Sequence, residues 1–149
     1  MNPIRPARAE DAVHAAEILV FCYRLNFYPI FRDDDFYFRE LTVPNVVQKL
    51  ADAGFPENAL VYDDGAVKGF VTLAGDEICR LFVEPCLWNG GIGSLLLEAA
   101  VSQGGRRLWA LEKNAGAIRF YERHGFVLTG CKKPEEDTDE MLAEMVRGE

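Results

Sequence analysis

The chain has 149 residues, of which 49% are hydrophobic and 27% charged, a composition typical of a globular protein. No window approaches the roughly 20 uninterrupted apolar residues that a transmembrane helix needs. The first eleven residues also lack the apolar segment of a signal peptide. We therefore expect a single domain over residues 1–149, with a cytoplasmic location and no membrane partner.

The charge is acidic overall. Sixteen basic and twenty-four acidic residues give a net charge of −8, and the basic residues form no patch. This distribution argues against a nucleic-acid partner. An anion would meet a repulsive average field, so any anion site must depend on local backbone donors, whereas a cationic partner would be attracted.

The four cysteines lie far apart in the sequence and form no C-x-x-C pair: Cys22, Cys79, Cys86 and Cys131. Such spacing argues against a zinc site or a redox pair and favours reduced, mostly packed thiols. His14 and His124 have no partner at metal-ligand spacing either, so we expect no metal site.

The N-terminal third is predicted to be mainly helical. A short strand around Ile4 precedes a helix over residues 9–21, whose first turn is acidic as the helix dipole favours. A second helix begins at Pro44 and ends at Gly54.

Between these helices, residues 21–38 hold eight of the seventeen aromatic residues, interrupted by three aspartates. One interpretation is a set of core aromatics plus an acidic cap on a helical segment. The other is an aromatic and acidic pocket wall that attracts an ammonium group.

From Ala59 the pattern changes to strands. A hairpin around Asp64-Gly65 and a turn at residues 73–76 lead into the strand Glu77–Val83, giving an antiparallel meander. A glycine loop, a helix over 91–103 and a strand Arg107–Leu111 then form a right-handed βαβ unit.

The C-terminal part continues with a helix over 115–124, capped by Asn114 and ended by Gly125, and a strand Phe126–Cys131. The tail, residues 139–147, is ambiguous. Its local propensity slightly favours a helix capped by Asp139, although its length also permits a strand.

The glycine loop points to phosphate binding, because a strand that passes through glycines into a helix directs free N–H groups and the positive end of the helix dipole at one point. A P-loop is excluded, since no lysine follows Gly93-Ser94. A dinucleotide fingerprint lacks its third glycine at Leu96 and its direct contact with the strand. It stays open as an alternative because Glu112 lies about twenty residues on.

Two motifs carry a resemblance to a known family. The segment VEPCLWNGGIGSLL resembles the acyl-CoA pyrophosphate loop, Q/R-x-x-G-x-G/A, of the GNAT superfamily of N-acetyltransferases, with Trp88 where the family usually has Gln or Arg. Residues 114–126, NAGAIRFYERHGF, resemble the second signature of that family: an Asn, a Tyr seven residues later, then Gly-Phe. The two motifs occur in the right order and at the right separation.

The resemblance implies a GNAT-like α/β fold: a mixed, mostly antiparallel sheet of about seven strands with helices on both faces. It further implies that the parallel pair is splayed to hold acetyl-CoA as co-substrate, and that the tail is a strand. We therefore expect residues 139–147 to form a strand.

The resemblance also implies cofactor contacts. A bulge at Leu81, Phe82 and Val83 would free backbone groups for the pantetheine arm and the acetyl oxygen. The diphosphate would lie on the loop and helix start, at Trp88, Asn89, Gly90, Gly91, Ile92, Gly93 and Ser94. Asn114 would add a polar contact while capping its helix.

Acetyl transfer to an amine needs a base, because an alkyl ammonium group has a pKa near 10.4. Glu77 is the candidate base, because it lies six residues before Val83, where some members of the family that the chain resembles place a glutamate base; the alternative is an exposed glutamate at the start of a strand. Glu112, at the end of the parallel strand, competes with it. Tyr121 is the candidate acid, since a phenol is protonated at neutral pH, although a helix tyrosine packed in the core fits the same pattern.

We therefore expect an N-acetyltransferase that moves the acetyl group of acetyl-CoA to a primary amine by direct attack, without a protein nucleophile. The acceptor would be a small amine or a peptide lysine, and a homodimer is possible. The alternative is a non-catalytic module that binds acyl-CoA.

Overall fold

The computed structural model describes residues 2–88, 90–135 and 140–148. Its strands are β1 (Ile4–Pro6), β2 (Ala59–Asp63), β3 (Val67–Ala74), β4 (Glu77–Val83), β5 (Arg107–Leu111), β6 (Phe126–Pro134) and β7 (Met141–Arg147). Its helices are α1 (Ala12–Asn26), α2 (Tyr28–Phe31), α3 (Val43–Asp52), α4 (Ile92–Ser102) and α5 (Ala115–Arg123). None of the helices in these ranges is both long enough and apolar enough to cross a membrane.

The strands form one seven-stranded sheet in the order β1-β2-β3-β4-β5-β7-β6. Strands β4 and β5 run parallel, and the other neighbours in the described sheet run antiparallel. This confirms the mixed, mostly antiparallel sheet. The tail is a strand that inserts between β5 and β6, so tertiary pairing overrides its local helical propensity. The predicted cap at Asp139 lies outside the described residues.

The two faces of the sheet bury separate cores. Val61 and Phe70 point to one face, where they pack against α1 and α3. Leu60 and Val71, their neighbours in sequence, point to the other face and join Leu96 of α4. This alternation is the two-residue period of a strand that is covered on both sides. Helices therefore lie on both faces, as expected.

Several turns follow the predicted chemistry. Gly65 takes a left-handed φ of 126° in the β2–β3 hairpin. Asn114 caps α5 by accepting the Ala117 N–H at 3.1 Å. Asp33 accepts the Phe36 N–H at 3.1 Å, which confirms an acidic cap on the helical segment that follows α2.

The start of α1 is built on an ion pair. A 3₁₀ turn at Ala9–Asp11 precedes the helix, and the Asp11 carboxylate accepts the Arg8 N–H at 2.8 Å. The Arg5 guanidinium donates to both oxygens of Asp11, at 2.9 and 3.1 Å, and also to Asp63. The helix continues to Asn26, five residues beyond the predicted end at residue 21.

The cysteine prediction is partly wrong. All four cysteines are free, but only Cys22 is buried. Cys79 is an exposed residue of β4, Cys86 lies in a surface 3₁₀ turn, and Cys131 lies on the edge strand β6. Their exposure follows from these elements, which local spacing does not reveal.

Candidate active site

A cleft opens where the two parallel strands separate. In the described sheet, β4 and β5 are paired only at Glu77 and Arg107, and beyond this pair they diverge. The cleft has a volume of about 1490 Å³ and reaches from the Leu81–Val83 end of β4 to the N-terminal ends of α4 and α5. This volume exceeds the ~300–1,000 Å³ of a typical small-molecule site, so it has room for two substrates.

The bulge in β4 lies earlier than expected. Arg80 pairs with Thr72 and Ile78 pairs with Leu73, so Cys79 is the extra residue. From Arg80 to Val83 the pairing with β3 is regular, and the expectation of a bulge at Leu81–Val83 is therefore wrong. The divergence of β5 instead frees backbone groups on the cleft side of Leu81–Val83, apart from the Val83 carbonyl, which accepts hydrogen bonds from Trp88 and Cys22.

The N-terminus of α4 presents backbone donors to the cleft. Gly91 has a left-handed φ of 90°, a conformation that glycine adopts without strain. The Leu95 N–H bonds to the Gly91 carbonyl at 3.1 Å, so the N–H groups of Ile92, Gly93 and Ser94 lie ahead of the helical ladder. A Cβ on Gly93 would make only ordinary contacts, the nearest with Phe120 at 3.5 Å.

Trp88 contacts the end of β4. Its indole N–H donates to the Val83 carbonyl at 2.9 Å, and the Cys22 thiol donates to the same oxygen at 3.1 Å. The indole therefore lines the cleft while 40% of the residue stays exposed. Burial raises the pKa of Cys22 to about 12, which keeps this thiol protonated as a donor.

Tyr121 of α5 lines the same cleft. Its ring packs edge-on against Phe120 and Phe126, at centroid distances of 5.4 and 6.1 Å. Burial raises the pKa of Tyr121 to about 12, so the phenol stays protonated well above neutral pH. Within residues 2–88, 90–135 and 140–148, its hydroxyl has no hydrogen-bond partner, so its proton is available to a ligand.

The two candidate bases lie in different places. Glu77 lines the cleft at its closed end, where its carboxylate pairs with Arg107 Nη1 at 3.2 Å. The Cys79 thiol lies 3.7 Å from the other carboxylate oxygen of Glu77. Glu112 is an exposed residue that pairs with Lys132 and does not line the cleft.

The aromatic run packs in the core and also lines the cleft, whereas the attraction of an ammonium group stays a prediction. Five of its rings, which we call the aromatic wall, line the cleft: Tyr23, Phe27, Phe31, Phe36 and Tyr37. The same rings pack against the core on the α1 side, where Tyr37 is 3% exposed. Burial raises the pKa of Tyr37 to about 12 and also raises that of Tyr23.

Most of the residues expected to contact a cofactor line this cleft: Leu81, Phe82, Val83, Trp88, Gly91, Gly93, Ser94 and Asn114. Gly90 and Ile92 do not line it, and the Ile92 side chain is buried in the core on the α4 side. Their backbone positions still border the helix start. Asn89 lies outside the described residues.

One group of functional side chains was not predicted from the sequence. The Ser94 hydroxyl lies 3.0 Å from His124 Nε2, and His124 Nδ1 lies 3.4 Å from a carboxylate oxygen of Glu98. Arg147 Nη1 donates to both oxygens of Glu98, at 3.1 and 2.9 Å. Of these four residues, Ser94 and Glu98 share a visible spacing, one helical turn on α4. His124 is the C-cap of α5, and Arg147 is the last residue of β7.

Comparison with known proteins assigns the family. Residues 56–128 match the family model described as the acetyltransferase (GNAT) domain. The chain therefore carries a GNAT acetyltransferase domain over these residues, just under half of its length. Among GNAT relatives, it is 33% identical over 88 residues to the peptidyl-lysine N-acetyltransferase YjaB of Salmonella typhimurium, a match that covers 56% of this chain and 61% of the relative. The chain thus spans about three fifths of that relative's length.

Solved GNAT structures share the fold over nearly the whole chain. The solution structure of apo YjaB from Escherichia coli has a TM-score of 0.72 at 22% identity, covering 96% of this chain and 95% of that one. The PaiA N-acetyltransferase of Thermoplasma acidophilum, solved in complex with coenzyme A, has a TM-score of 0.64 at 18% identity, covering 95% and 96%. At these identities the likeness establishes the GNAT fold. Its mostly antiparallel sheet rules out the dinucleotide-binding alternative, which requires a mostly parallel one.

Proposed function

We propose that this GNAT protein is an N-acetyltransferase that moves the acetyl group of acetyl-CoA to a primary amine by direct attack. The observation that carries the proposal is one cleft that brings together the free edge of β4, the N-terminus of α4 and the Tyr121 hydroxyl. This cleft lies between β4 and β5, which in the described sheet are paired only at Glu77 and Arg107.

The residues present fit the donor substrate. A diphosphate is an anion with acceptor oxygens only, and the N–H groups of Ile92, Gly93 and Ser94 supply donors that are backed by the helix dipole. These donors overcome the repulsion expected from a net charge of −8. Acetyl-CoA supplies an acetyl group activated as a thioester, and the edge of β4 offers backbone partners for its amide-containing arm.

The aromatic wall supports a cationic acceptor. Its rings attract ammonium groups through their faces, and the carboxylates of Asp33, Glu40 and Glu135 line the same cleft. Basic side chains, among them Arg80 and Lys49, lie there too, so the cleft is not uniformly acidic. The relative from Salmonella carries the name of a peptidyl-lysine N-acetyltransferase, and we extend that acceptor class to this chain.

Glu77 and Tyr121 carry out the proton transfers of the proposed reaction. Of the two candidate carboxylates only Glu77 lines the cleft, and it accepts one proton from the ammonium group of the acceptor, directly or through a water molecule. The neutral amine nitrogen then bonds to the acetyl carbon while the carbon–sulfur bond breaks, and the nitrogen releases its second proton to solvent. Tyr121 delivers its phenolic proton to the departing sulfur and regains one from solvent.

An acetylation assay tests the proposal. The protein is mixed with acetyl-CoA and, in separate reactions, with a lysine-containing peptide, a small polyamine and the same peptide with its amines blocked. We expect thiol release that depends on a free amine, with mass spectrometry placing the acetyl group on the lysine ε-nitrogen or on the polyamine.

Two results would count against the proposal. If acetyl-CoA does not bind, the cleft is not a donor site and the proposal fails completely. If acetyl-CoA binds tightly but no amine in the panel is acetylated, a module that binds acyl-CoA without transferring it becomes the better description.

A further inference from the structure

The Ser94–His124–Glu98 chain lies directly beside the α4 N-terminus. Ser94 lines the cleft, and its hydroxyl is 3.0 Å from His124 Nε2. The other ring nitrogen, Nδ1, is 3.4 Å from Glu98, whose carboxylate is held by Arg147 through two hydrogen bonds. The His124 side chain is 18% exposed, and its ring stacks at 5.0 Å against Phe120.

Counting hydrogens shows what this chain permits. A neutral imidazole has one donor nitrogen and one acceptor nitrogen. Since Nδ1 faces the Glu98 carboxylate, the neutral ring carries its hydrogen there, and Nε2 must accept from the Ser94 hydroxyl. The one hydrogen of Ser94 is then used within the protein and cannot be donated to a phosphate oxygen.

Protonation of the ring reverses the bond to Ser94. A doubly protonated imidazole donates from both nitrogens, so Nε2 donates to the Ser94 oxygen and the Ser94 hydrogen becomes free. The ring also lies at the C-cap of α5, where the helix dipole favours a positive charge.

We infer that His124 is a positioning residue that couples diphosphate binding to uptake of one proton, by turning the Ser94 hydroxyl from a donor toward the ring into a donor toward the cofactor. The inference rests on the proposed binding of acyl-CoA at the α4 N-terminus and adds a regulation of that site by pH. No covalent bond changes; the only transfer is a proton from solvent to His124.

The charges around the ring are few. Glu98 faces it from α4, and Arg147 on β7 neutralises part of that carboxylate's charge. On its own helix, the charged neighbours in sequence are Glu122 and Arg123, both exposed. Hydrogen bonds from Arg147 and His124 hold the pKa of Glu98 below its usual range against its partial burial, so Glu98 stays ionised at neutral pH.

The test measures proton uptake, with dephospho-CoA as the probe. This ligand keeps the diphosphate but lacks the 3′-phosphate, whose own ionisation near pH 6 would obscure the count. Titration calorimetry from pH 6 to 8, in buffers of different ionisation enthalpy, gives both the affinity and the number of protons bound. We expect proton uptake on binding, of at most one proton, and an affinity that falls as the pH rises, by up to about tenfold per pH unit.

Three variants make the outcome specific. His124→Gln places a non-titrating amide beside Ser94, so we expect binding that persists but no longer varies with pH. Ser94→Ala leaves His124 in place and should abolish the proton uptake while weakening binding. His14→Gln, on the exposed surface of α1, is the control and should behave as wild type.

The results separate this inference from the proposed function. Binding without proton uptake in the wild type, or uptake that persists in either His124→Gln or Ser94→Ala, overturns the proposed role of His124 and leaves the acetyltransferase proposal standing. Failure of both dephospho-CoA and acetyl-CoA to bind at any pH overturns both.

Discussion

Tyr121 is the residue on which the proposed chemistry depends most. Its position within the second GNAT-like signature indicates an acid, whereas periodicity alone favours a packed core tyrosine. The structure shows why both expectations arose: the ring packs against Phe120 and Phe126 while the residue lines the cleft. Sequence could not separate the two expectations, because one side chain can pack against the core and line the cleft at the same time.

We predict that Tyr121→Phe lowers kcat by about 10²–10⁴-fold, the range typical of a general acid, and leaves acetyl-CoA affinity unchanged. Steady-state kinetics and calorimetry measure the two quantities. Tyr62→Phe, a tyrosine of β2 that does not line the cleft, is the matched control and should keep full activity. A Tyr121→Phe enzyme with wild-type kcat would remove Tyr121 from the mechanism.

The burial of Tyr121 also sets a pH expectation. A free phenol ionises near pH 10, but burial raises the pKa of Tyr121 to about 12. The acid therefore stays protonated throughout the working range. We expect kcat to show no decline between pH 8 and 10 that depends on Tyr121, and comparison of the wild-type and Tyr121→Phe pH profiles tests this.

The carboxylate base is tested by a pair of substitutions. Glu77→Gln keeps the shape of the side chain but removes the base, so we predict a fall in kcat of about 10²-fold. Glu112→Gln, on the exposed carboxylate that pairs with Lys132 outside the cleft, should stay close to wild type. The reverse pattern would assign the base to Glu112, and equal activity of both would leave the proton to solvent.

At the scale of elements, two glycines at the α4 N-terminus, Gly91 and Gly93, are needed for different reasons. Gly91 requires a left-handed φ of 90°, whereas Gly93 is helical and a Cβ there would meet Phe120 only at an ordinary 3.5 Å. Gly91 is therefore needed for the turn, and Gly93 can be needed only for close approach of a ligand.

We predict that Gly91→Ala destabilises the protein by about 1–2 kcal/mol, the cost of a left-handed alanine. Gly93→Ala should fold at least as well as wild type, because alanine favours a helix over glycine by roughly 0.5–1 kcal/mol. It should nevertheless weaken acetyl-CoA binding by at least about tenfold. Denaturant titration and calorimetry test both, and normal binding by Gly93→Ala would show that the ligand does not approach there.

The link between β1 and the start of α1 is sensitive to acid. Hydrogen bonds from Arg5 hold the pKa of Asp11 below its usual range, so this stabilisation is present above about pH 4 and is lost as the pH falls through the lowered pKa. We predict that Asp11→Asn lowers the free energy of unfolding at neutral pH by about 1.5–3 kcal/mol.

That loss should shrink as the pH falls, because the wild type then loses the same interaction. Thermal unfolding of the two proteins between pH 7 and 3 measures the difference. Glu10→Gln, an exposed neighbour in the same turn, serves as the control. A constant gap between wild type and Asp11→Asn at all pH values would exclude the ionised carboxylate as the cause.

Element positions were largely predictable because their signals are local. The strand Arg107–Leu111, the cap at Asn114 and the hairpin at Gly65 each depend on a few adjacent residues. The bulge at Cys79 and the tail strand depend instead on pairing with distant segments. The family resemblance placed the tail correctly but put the bulge at residues 81–83.

At the scale of the whole molecule, the proposed function depends on an interrupted sheet. Strands β4 and β5 meet at Glu77 and Arg107 and then separate, so the sheet itself opens a cleft that reaches both helix N-termini. The resemblance implied this opening, but no local pattern shows how far two strands diverge. The hydrogen-bonded link from Ser94 through His124 to Glu98 could not be predicted from the sequence either, because His124 is far from the other two residues in sequence and meets them only in the folded protein.

The most direct test of the account is a crystal structure of the protein with acetyl-CoA. The account predicts the diphosphate within hydrogen-bonding distance of the N–H groups of Ile92, Gly93 and Ser94. It also predicts the pantetheine arm along Leu81–Val83 and the sulfur beside the Tyr121 hydroxyl. A complex with the diphosphate elsewhere, or with the sulfur out of reach of Tyr121, would contradict it.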